Sequence, residues 1–373
     1  MRIVLLSVHF AEYAIRLAQA LCHEHEILLI LSERNVHNEL GGSDSFHEIP
    51  RLQVKIIPDR RLWHPSMWYE ASQLRTRLKS FRPDVIHCQE AYRDYLPLVL
   101  PSFPCIPTIL TVHDHLPHSG QRPFHLRGKL FLCWLRQRAD AIIVHGQLIV
   151  KECRGLFPEW AMRLHAVPHG PLGIVGTAPS VDWQAGVVLF FGRMERYKGL
   201  SYLIEAAHIL KARGVSLRIV VAGTGPDLTI QRHSIDSDPL FVVHDRFISR
   251  HEVDQLFRQA NIVVLPYTDA TQSGIAAMAL QYGRPVVASD VGGISEMVRH
   301  DFNGKLIPPR DSTALANALE EVISDRVMAA RFAENAVVLA TGELSWARIA
   351  NDTSKVYANA MSNCAKSRKI FSM

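Results

Sequence analysis

The 373 residues contain no paired-cysteine motif. Cys22, Cys88, Cys105, Cys133, Cys153 and Cys364 are scattered; none forms a C-x-x-C step and none joins histidines at zinc spacing. That excludes a disulfide framework and predicts free thiols in a reducing, cytoplasmic setting. A dominant charge is also missing. The 41 Lys and Arg stand against 36 Asp and Glu, for a net charge of +5. This lacks the concentrated basic stripe of a nucleic-acid binder, yet it suits phosphate-bearing ligands or an anionic membrane surface. There is no low-complexity tract and no short internal repeat. With 48% hydrophobic residues, a disordered chain is excluded. Nor is there a long apolar run free of proline. Tyr95–Val112 carries no charge, but Pro97, Pro101, Pro104 and Pro107 break any spanning helix, and a loop leading into a strand is expected. The opening MRIVLLSVHF soon meets Glu12, so it reads as a first strand and not as a signal peptide.

What is present is a regular alternation. Strands are expected at Ile3–Ser7, Val85–His87, Thr108–Val112 and Ala141–Val144. A second series follows at Val187–Phe191, Arg218–Ala222, Ile262–Leu265 and Val286–Ala288. Each is brief, mostly apolar and bounded by Gly, Pro or Asp, as strands buried on both faces of a parallel sheet are. Helical periods lie between them. Leu200, Leu203, Ile204, Ala207 and Leu210 recur at three- and four-residue steps until Gly214, and Asp311–Ile323 behaves similarly. The alternation predicts doubly wound α/β domains, and the length suits two. Pro168–Gly186, rich in Gly and Pro and without a period, predicts the linker. From Trp346 a closing helix is expected, ending in Lys366, Arg368 and Lys369.

Four segments carry chemistry. In FFGRMERYKGL a strand ends at Gly192, Arg193 follows, and Lys198 comes five residues later. Two cations at the C-terminal end of a parallel strand suit a diphosphate, although a solvated surface loop reads the same way. In LPYTDATQSGIAAMALQYG a polar loop with Asp269, Thr271 and Gln272 leads to Ser273, Gly274 and a helix from Ile275. Free N–H groups there bind anions, or Ser273 serves as a plain cap. VVAGTGPD gives a Gly-rich turn with Gly225, by itself only a tight strand-to-helix turn. LTVHDHLPH places His113, Asp114, His115 and His118 at a strand end. A metal site, a solvated loop and a histidine touching an acceptor hydroxyl are all compatible with it, and the spacing is not a zinc pattern.

Taken together these segments resemble the family 4 retaining glycosyltransferases of GT-B fold. The likeness rests on Gly192-Arg193 with Lys198-Gly199, Gly223–Pro226, Pro266-Tyr267, Ala279 with Gly283, Pro285–Ala288, Val291-Gly292-Gly293 with Glu296, Asn303-Gly304 and Pro308. Pro83–His87, Thr111–Asp114 and Ala139-Asp140 match more loosely. The resemblance implies a GT-B enzyme, with two doubly wound Rossmann-like domains facing across a cleft. Residues 1–170 would form the acceptor domain, 187–345 the nucleotide-sugar donor domain, and 346–373 a helix packing back towards the first. It implies that Arg193 and Lys198 neutralise the donor diphosphate. Gly192, Gly225, Asp269, Thr271, Gln272, Ser273, Gly274 and Ile275 would surround the donor, and His113 would lie near the transferring sugar. The implied partners are a nucleotide sugar and a glycan or lipid-linked acceptor, with no metal and no other cofactor.

The chain departs from that family at three places. The usual pair of glutamates is absent, with Ala270 and Met278 standing there, and Thr271–Gly274 gives instead a Thr-Gln-Ser-Gly loop found in a subset of the family. The glycine-rich first loop is replaced by Ser7-Val8-His9-Phe10. A GT-B scaffold kept for binding a partner glycosyltransferase, or another GT-B enzyme such as a sugar-nucleotide epimerase, are the alternatives. Arg60, Arg61, Arg75, Arg77, Lys79 and Arg82, with Trp63 and Trp68, form either a contact for anionic lipid or a solvated helix face.

Overall fold

The structure is a computed structural model, and it describes residues 1–40, 49–59, 64–90, 96–116, 126–173 and 186–371. Among these residues the chain divides into two compact units, with a break after Pro168. The first holds β1 (Arg2–Ser7), β2 (Glu26–Ser32), β3 (Leu52–Ile57), β4 (Val85–Gln89), β5 (Thr108–Val112), β6 (Ala141–Val144) and β7 (Leu164–Ala166). Its helices are α1 (Ala11–Leu21), α2 (Glu33–Leu40), α3 (Pro65–Phe81), α4 (Leu96–Val99), α5 (Leu126–Arg138) and α6 (Gln147–Leu156). The second holds β8 (Val187–Phe191), β9 (Arg218–Ala222), β10 (Phe241–His244), β11 (Ile262–Leu265), β12 (Val286–Ser289) and β13 (Gly304–Ile307). Its helices are α7 (Leu200–Ala212), α8 (Pro226–Ile235), α9 (Arg250–Gln259), α10 (Gly274–Gln281), α11 (Ile294–Met297), α12 (Ser312–Ser324) and α13 (Arg326–Thr341). The last helix, α14 (Trp346–Phe371), belongs to the first unit and packs on α1.

Both sheets are wholly parallel. The first runs β3-β2-β1-β4-β5-β6-β7 and the second β10-β9-β8-β11-β12-β13. Each reverses direction beside its first strand, at β1/β4 and at β8/β11. A crevice opens at such a switch point, and ligands of doubly wound sheets bind there, beyond the carboxyl ends of the strands.

Side-chain alternation builds the layers. Val4, Leu6, Ile86, Cys88, Leu110 and Val112 face one side of the first sheet and join Met67, Leu74 and Leu78 of α3 and Phe131 and Leu135 of α5 in one core. On the opposite face His87, between Ile86 and Cys88, meets α14. Its Nδ1 lies 2.6 Å from Tyr357 Oη and its Nε2 2.7 Å from Thr111 Oγ1. The second sheet is covered on one side by α7 and α12, through Leu203, Ala207, Leu315 and Leu319. On the other side it is covered by α9 and α10, through Phe257, Ala277 and Leu280. Side-chain caps start several helices of this unit. Ser249 and Glu252 form a capping box on α9, and Asp311 and Asp325 cap α12 and α13.

Every expected strand is present, several extended by a residue or two. Five more strands, β2, β3, β7, β10 and β13, were not expected. The uncharged stretch is not all loop. Leu96–Val99 forms α4 and Leu100–Ser102 a 3-10 turn before β5, since Pro97 and Pro101 each sit in the first turn of a short helical piece, where a missing N–H is harmless. No disulfide joins any of the six cysteines. No described helix is long and apolar enough to cross a membrane.

Candidate functional site

The densest chemistry lies at the switch point of the second sheet. The chain leaves β8 at Gly192, runs through Arg193, and makes a 3-10 turn over Arg196–Lys198 before α7. It leaves β11 at Pro266 and reaches α10 through Thr268–Ser273. The two loops are fastened together. Thr268 N–H donates to the Tyr197 carbonyl at 2.7 Å, and Lys198 Nζ donates to Tyr267 Oη at 3.1 Å. The ammonium also stands 5.0 Å from the Tyr267 ring centroid, in cation–π reach.

Lys198 is 6% exposed, and neither it nor Arg193 forms an ion pair with a carboxylate among the described residues. Burial pulls its ammonium down to about 8, and Arg193 nearby pushes the same way, against Tyr197 and Glu195. A buried cation beside an exposed cation, with no carboxylate in ion-pair contact among the described residues, suits an anion from outside the chain. Gly192 makes this possible, because a Cβ there would lie 2.7 Å from Lys198 Nζ and 3.7 Å from Ile275 Cδ1.

The start of α10 borders the same space. Ser273 Oγ accepts from Ala276 N–H at 3.1 Å, so the serine is a true cap. Among the described residues no acceptor is bonded to the N–H of Gly274 or Ile275. These two donors, with the positive end of the helix, remain for a ligand. Of the two expected readings the cap is present, and it does not use these two N–H groups. Thr271 is buried, and its carbonyl accepts from Gly293 N–H at 2.9 Å. Gln272 and Asp269 are half-buried in the same loop. Gly225 serves packing: a Cβ there would stand 2.5 Å from the Met194 carbonyl oxygen, so its absence lets the two loops touch.

Three further residues enter this site. Tyr267 holds Lys198, and burial raises its hydroxyl so that it stays a neutral partner. His169 and Leu172, from the stretch expected as linker, lie against the start of α10: a Cβ on Gly274 would be 3.9 Å from His169 Cε1 and 3.4 Å from Leu172 Cδ1. The glutamate positions are apolar in fact as well as in sequence. Ala270 and Met278 are each 8% exposed, and Met278 packs with Tyr282 around Gly173.

His113 belongs to the first unit, at the end of β5. It is 2% exposed, and both ring nitrogens meet protein. Nε2 lies 2.8 Å from Gln89 Oε1 and Nδ1 3.1 Å from His145 Nε2, while His145 Nδ1 reaches the Val167 carbonyl at 3.1 Å. Phe10 stacks on the imidazole at 3.8 Å, and Tyr13 meets its edge. Phe10 itself has φ 63° and ψ 47°. A bulky residue in the left-handed region costs roughly 1–3 kcal/mol and needs surroundings that impose it. Glu39 imposes it. Its carboxylate accepts from Phe10 N–H at 3.2 Å and from Glu12 N–H at 3.1 Å. The N-terminus of α1 thus already holds a carboxylate of the chain itself.

Among the described residues no group of three or more His, Cys, Asp or Glu could hold a metal ion, and His118 lies outside them. Of the basic patch, Arg60, Arg61 and Trp63 lie outside the described residues, as do the side chains of Lys366, Arg368 and Lys369. Arg75 is turned inward to the Leu98 carbonyl at 2.8 Å and Arg77 donates to Gln53 at 2.6 Å, while Trp68 is 59% exposed.

Residues 185–325 match the family model described as Glycosyl transferases group 1, and residues 9–170 match Glycosyltransferase Family 4. The D-inositol 3-phosphate glycosyltransferase of Paenarthrobacter aurescens is 30% identical over 365 residues, covering 90% of this chain and 85% of that protein. The glycogen synthase of Mycobacterium tuberculosis is 27% identical over 319 residues, covering 81% of this chain and 76% of that protein. Among solved structures, sucrose-phosphate synthase from Thermosynechococcus elongatus superposes with a TM-score of 0.73 at 17% identity, covering 97% of this chain and all of that one. Anabaena HepE in complex with UDP-glucose superposes at 0.69 and 18% identity, over 96% of this chain and all of that one.

Proposed function

The chain belongs to the GT-B glycosyltransferases with a family 4 half and a group 1 half, and on that footing we propose that it moves a sugar from a nucleoside-diphosphate donor to a glycan or lipid-linked acceptor with retention of anomeric configuration. The observation that carries this reading is the buried Lys198, ion-paired to no carboxylate among the described residues, beside Arg193 and the open N–H groups of α10. As the anomeric C–O bond breaks, negative charge grows on the leaving diphosphate. Lys198 and Arg193 neutralise it, and Gly274 and Ile275 N–H groups cradle its far oxygens, without a metal ion. The acceptor hydroxyl forms its bond on the face that the diphosphate leaves, and its proton passes to the departing phosphate. A uridine donor is the first to try, because HepE was solved with UDP-glucose. Asp269 is the carboxylate nearest in sequence to the missing glutamates, and it takes the place of the first beside the donor. The setting is cytoplasmic, with Trp68, Arg77 and Lys79 of α3 resting on the inner membrane surface when the acceptor is a lipid.

Titration with UDP- and GDP-sugars in EDTA tests this. One donor should bind, and Arg193→Ala should weaken it by about 10- to 100-fold, as loss of a charge-assisted contact does. No binding by any nucleotide sugar, or an unchanged affinity in the variant, refutes the diphosphate grip. Absence of turnover with intact donor binding favours the binding-scaffold reading that Ala270 and Met278 suggest.

A further inference from the structure

His113 offers no open ring nitrogen at the switch point of the first sheet, and a different group is presented there. We infer that the half-exposed ring of Phe10, backed by His113, is a stacking platform for a pyranose ring of the acceptor; this rests on the reading that the acceptor is a glycan or glycoside.

Four observations converge on that ring. It follows β1 directly, where the strand order reverses between β1 and β4 and where doubly wound sheets bind their ligands. Its backbone is left-handed. Among the described residues four other non-glycine residues have positive φ, Arg51, Arg82, Asp301 and Arg310, and all are exposed polar residues, Arg82 at the C-cap of α3 and the others in turns. Phe10 alone is aromatic. Third, the conformation is held from two sides, by Glu39 at its N–H and by His113 at 3.8 Å and 22° from coplanar. Strain kept by surrounding structure points to use. Fourth, the stack on His113 takes one face of the ring, and Phe10 as a whole remains half-exposed.

The ligand class follows from this chemistry. One face of a pyranose carries axial C–H groups, an apolar patch on an otherwise polar ring. Such a patch buries well against a rigid aromatic face, which loses little freedom in the contact. A phosphate is disfavoured, because Glu39 already fills the N-terminus of α1 with negative charge.

The test is saturation-transfer difference NMR on the full chain. The probes are methyl α-D-glucopyranoside, methyl α-D-mannopyranoside and methyl β-D-galactopyranoside, with UDP in the same sample. In the wild type, ring C–H protons of at least one pyranoside should receive saturation. Phe10→Trp should keep the signal. Phe10→Gly, which relaxes the left-handed backbone, should melt no lower than wild type yet lose the signal at least about fivefold. Phe10→Leu, apolar without a flat face, should fall between. A wild type that saturates no pyranoside, or a Phe10→Gly chain that saturates them equally, overturns the platform. UDP protons report the other site in the same tube. Their signal should persist in every Phe10 variant, and its absence in the wild type refutes the diphosphate grip and not the platform.

Discussion

At the end of β1 the chain turns through Phe10, and at the topologically matching end of β8 it turns through Gly192. The two sheets have the same strand order up to the sixth strand, so both turns lie at a switch point. Around Phe10 the main polar groups are paired within the unit, although Gln89 Nε2 is buried without a partner among the described residues. Glu39 occupies the N-terminus of α1, and Gln89, His113 and His145 form one hydrogen-bonded row. Around Gly192 the polar groups are left open to a ligand. Lys198 and Arg193 meet no carboxylate among the described residues, and α10 begins with two open N–H groups. One topology thus supports two kinds of ligand site. A site that answers its own polarity presents an apolar surface, and one that does not invites an anion.

Replacing the buried cation breaks this comparison most directly. Lys198→Met keeps the volume and removes the charge. Turnover should fall about 100- to 1,000-fold, the usual loss when one preorganised charge-stabilising donor is removed. Stability should move the other way. The ammonium stands at about 8 rather than its ordinary 10.5 because the fold strips its water, so the charged form opposes folding. Removing it should stabilise the empty protein by on the order of 1–3 kcal/mol, read as a raised thermal midpoint. A variant that loses both activity and melting temperature would make Lys198 a structural residue and erase the contrast.

How much of this was legible in the sequence depends on where a residue sits. The interior strands mostly read clearly, because each is a short apolar run rich in β-branched residues or bounded by Gly, Pro or Asp. The four outer strands, β3, β7, β10 and β13, did not. β3 alternates Gln53 and Lys55 with apolar residues, β7 has three residues, and β10 leaves Val242 37% exposed. β2 is the interior exception. Its EILLILS run is leucine-rich and fits a helix as well as a strand. In the site, Arg193, Lys198 and Ser273–Ile275 were visible because they follow strand ends within a few residues. Tyr267 was visible only as part of the family likeness, with no role attached, and His169 lies in a stretch without period. Glu39 reaches Phe10 across 29 residues, a tertiary contact with no local sign.

Proton uptake sharpens the comparison with a smaller effect. Diphosphate binding requires the charged form of Lys198. Below pH 8 the ammonium is already protonated, and UDP affinity should be flat. Above pH 8 binding must take up a proton, so affinity should fall by up to about tenfold per pH unit. The stability of the empty protein should respond in the opposite sense. Between about 8 and the ordinary 10.5 the unfolded lysine holds more proton than the folded one, so this group adds stability as pH rises through that window. Calorimetric titration with UDP from pH 6.5 to 9.5 checks the first statement, and Lys198→Met should show neither dependence. A wild type whose affinity is level across pH 8 places the titration elsewhere.

The smallest effect probes the self-satisfied unit. Tyr357 of α14 shares a hydrogen bond with His87, whose imidazole is pulled down to about 3, first by burial and then by His145. In that neutral ring one nitrogen donates and the other accepts, and Tyr357 and Thr111 satisfy both. Tyr357→Phe leaves Nδ1 buried without its partner, for about 1–2 kcal/mol. That should lower the thermal midpoint by only a few degrees and leave turnover unchanged. The acid side gives an independent reading of the same ring. With His87 near 3 folded and 6.5 unfolded, the unfolded chain holds more proton between those values, so stability falls as pH drops from 6.5 towards 3. The variant should keep that slope, because burial and His145, not the Tyr357 hydroxyl, hold the ring neutral. If it instead reduces turnover at unchanged stability, the pairing of His87 is coupled to the site, and the first unit's polar network is not the inert scaffold that the comparison makes it.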